Sequence, residues 1–138
     1  METSLRVIVL LAASTTLAAF CSPTAADGTN VPSGKWGGEH IVMEVTGAGA
    51  TLEFDCALGT IDGPLTLDNA GRFDLAGSFT PERGGPTRQD PPRAEPARYG
   101  GSLKDSTLTL TVVLTEIKET VGAFTLSRGA VPRLFKCK

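Results

Sequence analysis

The chain is short of imidazole, thiol and large aromatic groups, with one histidine, one tryptophan, one tyrosine and three widely separated cysteines. A single histidine excludes the H-E-x-x-H zinc helix, and cysteines at positions 21, 56 and 137 contain no C-x-x-C pair. The serine nucleophile elbow and the phosphate-cradling glycine loop have no counterpart, and "GAGATL" misses the dinucleotide spacing and leads into a strand. Charge is nearly balanced, 13 basic against 15 acidic residues for a net −2, which speaks against nucleic acid as a partner. No segment repeats apolar residues at the helical period of 3.6, so helices do not build this domain.

What is present begins with an apolar stretch over residues 7–20, preceded by Arg6 and followed by small residues. That is the layout of a secretory signal peptide, and the stretch is too short to cross a bilayer stably. Cleavage after Ala26, with Thr24 and Ala26 at the two small-residue positions, makes residues 1–26 a leader and starts the exported chain at Asp27. The alternative is the bacterial lipoprotein box, which "LAAFC" resembles except that Phe20 stands where a small residue ordinarily precedes the cysteine. Soluble export, secreted or periplasmic, is the expectation, and a lipid anchor to the envelope through Cys21 is its competitor. A membrane enters the account only in that second case.

Either ending leaves Cys56 and Cys137, an even pair that an oxidising compartment joins as a disulfide. Closing a loop of about 80 residues is worth roughly 4 kcal/mol in the chain-entropy description. Residues 27–34, "DGTNVPSG", read as a linker, and residues 35–138 as one domain.

Within that domain period-two alternation recurs to the end, with turn residues between the runs. "HIVMEV" and "TLEFDC" form a hairpin in which Ile41, Met43 and Val45 share a face with Leu52, Phe54 and Cys56. The expected register sets Gly47 opposite Ala50 and Glu44 opposite Glu53. Short strands follow at Leu65 and Leu67 and at Phe73, Leu75 and Phe79. Five prolines and two glycines in "TPERGGPTRQDPPRAEP" then argue against regular structure, so residues 80–97 read as a mobile connection or a ligand-covering lid. "ARYGGSL" and "TLTLTVVLT" make a further hairpin, with Tyr99, Leu108, Leu110, Val112 and Leu114 inward. "VGAFTLSRG" and "RLFKC" complete eight strands, the cations Arg128, Arg133, Lys136 and Lys138 lying solvated along the last part. The fold class is all-β: a small antiparallel up-and-down meander, closed or nearly closed as a barrel.

"GKW" at Gly34 to Trp36 resembles the G-x-W that opens lipocalin-like, or calycin, barrels, in which the tryptophan packs across the closed end. "WGGEHI", "LEFDCALGTIDGPL", "FTPERGGP", "ARYGGSL" and "RLFKC" are similar to a family of exported bacterial proteins of no assigned activity, over nearly the whole domain. The resemblance implies the compartment and the barrel, and it carries no activity or functional residue across.

Two functions of different kinds follow. The first is a non-catalytic carrier of a small apolar or amphipathic ligand, lined by Trp36, Phe54, Phe73, Phe79, Tyr99, Leu110 and Phe124. The second is an interaction or inhibitor module for an envelope protein, with residues 80–97 and the open end as contact surface. No cofactor is implied. A third reading places a cation or acid/base chemistry on the face of His40, Glu44, Glu53 and Asp55, where opposed like charges call for a counter-cation. Intact mass of the exported protein is expected to start at Asp27 without lipid, with two thiols that react with alkylator only after reduction. A mass carrying acyl chains on Cys21, or thiols that react at once, would contradict this.

Overall fold

Alternating side chains fold the chain into eight antiparallel strands: β1 (Gly34–Gly38), β2 (Ile41–Thr46), β3 (Gly49–Phe54), β4 (Ala57–Asp62), β5 (Arg72–Pro81), β6 (Glu95–Lys104), β7 (Thr107–Leu114) and β8 (Glu119–Arg128). The computed structural model describes residues 29–82 and 92–137, and contains no helix among them. The leader with Cys21 and the centre of the 80–97 connection lie outside the described residues. Each strand pairs with the next in sequence, and β8 returns to β1 through Trp36 opposite Arg128 and Gly38 opposite Leu126, so the sheet closes into a barrel. Closure removes both edges, each of which would otherwise present unpaired N–H and C=O groups.

Eight strands were expected, yet two of them are different ones. β1 is "GKWGG", whose three glycines give no apolar alternation, and β4 is "ALGTID", whose inward residues include the small Ala57 and Gly59. Leu65 and Leu67 lie instead on the β4–β5 connection, which meets the start of the domain by a bridge between Asn30 and Thr66. Residues 29–33 are accordingly fastened: Val31 N–H donates to Leu65 O, Leu67 N–H donates to Thr29 O, and Val31 is 3% exposed. "RLFKC" is no ladder strand either. It crosses the outside of the barrel with one parallel bridge, Glu39 to Arg133, and Phe135 is left 65% exposed. The proline-rich stretch also enters the sheet at both ends, Pro81 lying opposite Ala57 and Pro96 opposite Ser78, because strand ends tolerate a missing N–H.

The first hairpin has a register two residues away from the expected one. Thr46 faces Gly49, Val45 faces Ala50, Met43 faces Leu52 and Ile41 faces Phe54. Both registers use a two-residue link, and the turn falls on Gly47-Ala48 rather than on Ala48-Gly49. Thr46 Oγ1 secures it, accepting from Ala48 N–H and donating to Gly49 O. A shift of two preserves which side chains face inward, but it separates the charges: Glu44 lies opposite Thr51, and Glu53 opposite Val42.

The inward rows of all eight strands meet in a single core. Trp36, Ile41, Met43, Tyr99, Leu108, Leu110, Val112 and Leu126 are each at most 1% exposed. Trp36 Nε1 donates to Pro32 O at 3.0 Å, and Tyr99 Oη donates to Ser78 O at 2.6 Å, so both polar tips are satisfied. Burial pushes the Tyr99 phenol above its ordinary range. Two glycines make room for it: a Cβ on Gly59 would lie 2.3 Å from the Tyr99 oxygen, and one on Gly77 would lie 1.9 Å from Thr60 O and 3.0 Å from the Tyr99 ring. Tyr99→Phe, which deletes one buried hydrogen bond, is expected to lower stability by about 1 kcal/mol. Gly77→Ala collides with backbone and is expected to cost about 2 kcal/mol or more. Urea midpoints with unchanged slope check both; a neutral Gly77→Ala would contradict this packing.

Candidate functional site

The residues expected to line a ligand cavity are together in the core. Trp36, Tyr99 and Leu110 are fully buried, Phe54 and Phe73 are 5% exposed and Phe79 is 9% exposed. Phe124 is partly buried and packs against the same cluster. Phe54 joins the last two, its ring centroid 5.4 Å from that of Phe79 and 5.2 Å from that of Phe124. Small eight-stranded barrels have interiors that side chains can fill, and these side chains fill this one against Ile41, Met43 and Val112.

Recesses lie on the outside instead. One of about 400 Å³ is bounded by Asp74, Arg98, Thr111, Val113, Thr115 and Lys118 and floored by Gly100. These are outward positions of β5 to β7 and the turn beyond, and Arg98 Nε donates to Asp74 Oδ1 at 2.7 Å across the floor. A neighbouring recess of about 630 Å³ continues past Gly100 and Gly101 to Arg72 and the β4–β5 connection at Thr66 and Asp68. Because both share Asp74 and Gly100, they form one shallow trough. Its chemistry is mixed: methyl groups of Thr111 and Val113, a paired Arg98 and a second cation in Lys118.

The polar face anticipated from the sequence divides in two. His40 and Asp55 come together, and Glu53 joins Lys136; Glu44 sits away from them, opposite Lys35 and Thr51. His40 occupies a left-handed backbone position, φ 66°, in the β1–β2 turn, and its Nδ1 donates to Asp55 Oδ2 at 2.5 Å. Asp55 Oδ1 accepts from Phe135 N–H at 2.7 Å, and the Phe135 ring lies 5.5 Å from the imidazole. Lys136 donates to Glu53 Oε1 at 2.8 Å, to Glu82 Oε2 at 3.2 Å and to Phe54 O at 3.3 Å. Cys56 and Cys137 are joined, their Cα atoms 5.3 Å apart.

These contacts have one shared consequence, which is to hold residues 129–137 to the turn ends of β1 to β4. An imidazole oriented by a carboxylate is half of an acid/base device, but here the carboxylate's other oxygen is spent on the tail. Among the described residues no three His, Cys, Asp or Glu side chains are placed to hold a metal ion. The tail's cations were expected to be solvated, and Lys136 corrects that: it is paired twice. Glu82 and Phe135 were not legible as partners, since the only sequence signal bringing them near β3 was the Cys56 and Cys137 pairing. A scan of protein-family models matches none, and searches of curated proteins and of solved structures return no match.

The backbone hydrogen bond from Phe135, ahead of the histidine and the nearby ammonium, holds the Asp55 carboxyl below its usual range. Carboxylates, Glu53 first, hold the Lys136 ammonium above its own. A depressed acid contributes stability above its unfolded pKa, about 4, and loses it as pH falls through the folded value. A raised base contributes fully below its unfolded pKa and loses the contribution as pH rises through the folded one. The Phe135 amide proton is therefore expected to shift upfield on acidification with a midpoint below the ordinary aspartate value. A midpoint at or above that value would remove Asp55 from the latch.

Proposed function

We propose that this chain is an exported, non-catalytic binding module that engages an envelope or secreted protein through the outside of a rigid barrel. The observation that carries the reading is the filled interior: the side chains suited to line an apolar cavity are packed against one another instead. Binding then falls to the exterior, where the trough over β5 to β7 offers methyl groups, hydroxyls and two cations around a glycine floor.

Export is part of the same proposal and rests on the leader composition and on the disulfide, which an oxidising compartment preserves. A lipid on Cys21 would tether the module without altering the barrel. The likeness of "GKW" to the lipocalin opening belongs to the same proposal; Trp36 is buried and donates to Pro32 O, within the segment 29–33. Enzymatic use of His40 and Asp55 is disfavoured because both serve the tail.

A photo-crosslinking side chain at position 113 is expected to trap one protein partner in the exported fraction, and the double change Arg98→Ala, Lys118→Ala to lessen that adduct at least ~10-fold, as for loss of a hot spot. Titration with an apolar fluorophore is expected to leave Trp36 emission unchanged. Saturable one-to-one quenching of Trp36, with no adduct at position 113, would overturn the reading in favour of a carrier.

A further inference from the structure

The C-terminal tail is seated largely by its main chain, with the Lys136 ion pairs and the disulfide at its far end. After β8 the chain turns at Gly129, φ 71°, and its N–H donates to Lys35 O at 2.8 Å. Arg133 N–H donates to Gly38 O at 3.0 Å and His40 N–H returns a bond to Arg133 O at 2.7 Å. At the far end Cys137 N–H donates to Asp55 O at 3.2 Å, beside the disulfide. Between these points the tail lies on a bared strip of β1: a Cβ on Gly37 would be 2.1 Å from Ala130 O and 3.0 Å from Pro132 N. The tail buries little apolar surface in return, for Val131 is 87% exposed and Phe135 65% exposed.

An extended segment held by main-chain bonds in a glycine-floored seat, past a glycine hinge, is exchangeable between identical molecules. We propose that the seat over β1, bounded by Lys35, Gly37, Gly38, His40 and Asp55, is an acceptor site for the C-terminal segment of a second copy of this chain. It is open to that exchange whenever the Cys56–Cys137 bond is unformed. A second copy supplies the same residues, so every contact made within one molecule is remade between two, and only the hinge differs. Exchange of an identical element is a low-cost route to dimers. Within one molecule the short connection gives the tail an effective concentration in the millimolar range, so exchange gains ground as the chain is concentrated. Oxidation then fixes the outcome: two thiols lose two protons and two electrons to a disulfide oxidant such as oxidised glutathione, which leaves as two thiols, and the new bond closes within one chain or between two. The proposal does not depend on which protein the trough engages.

The test uses the full chain with Cys21→Ser throughout. Cys56→Ser, which keeps Cys137, is mixed in equal amounts with Cys137→Ser, which keeps Cys56, and oxidised with glutathione disulfide. Docking of one tail on the other barrel is expected to give mixed dimers at least ~10-fold in excess of the two like dimers combined, reflecting the effective concentration that docking confers. Placing Gly37→Ala in the Cys56-bearing chain is expected to reduce that excess to random pairing, where mixed and like dimers are equal. Random pairing without Gly37→Ala overturns the proposal. Should a single-thiol variant fail to fold, light and heavy isotope-labelled Cys21→Ser chains are reduced, mixed and reoxidised over rising concentration. Light-to-heavy Cys56–Cys137 peptides that grow with concentration support the exchange, and intrachain linkage alone at every concentration overturns it.

Discussion

Closure of the sheet by β8 on β1 is the constraint from which the remaining structure follows. Once strands 1 to 8 form a ring, every inward residue is committed to a common interior of fixed width, and bulky and small residues must alternate to fill it. Tyr99 is accommodated by Gly59 and Gly77, and Phe73 by Gly101, whose own Cβ would lie 2.5 Å from that ring. Gly59, Gly77 and Gly101 are thus volume choices beside aromatic neighbours, whereas Gly37, Gly38 and Gly49 admit the close approach of backbone. Among the described residues no buried side-chain nitrogen or oxygen is left without a partner.

One end and one flank of the ring are finished by chain that is not part of the ladder. Residues 29–33 and the β4–β5 connection close over one end, with Val31, Leu65 and Leu67 buried beneath. Residues 129–137 strap the outside of β1 and are latched by Asp55, Lys136 and the disulfide. The apolar cap contributes through burial, of order 2 kcal/mol for each large side chain. The strap contributes through hydrogen bonds and a covalent link instead. A segment with that balance is firmly placed while the link is intact and easily released when it is not.

The all-β class, the meander order, the inward sets on β2, β3, β5, β6 and β7, and the cysteine partnership were legible in the sequence because each rests on period-two alternation or on parity. β1 was not, since glycine carries no hydrophobic signal and its strand state is imposed by neighbours on both sides. The first register was misjudged because faces are invariant to a shift of two while cross-strand charge pairs are not. Of the polar face, the approach of Asp55 to His40 was anticipated, and the role of both in holding the tail was not. That role depends on Phe135 and Lys136, whose placement near β3 is a matter of tertiary path.

The strands form a ring closed between the first and the last around a filled interior. Cross-strand nuclear Overhauser contacts measure it most directly. Contacts between Gly38 and Leu126 and between Trp36 and Arg128 are expected, with slow amide exchange along both strands. An unpaired, rapidly exchanging β1, with β8 left as a free edge, would contradict it.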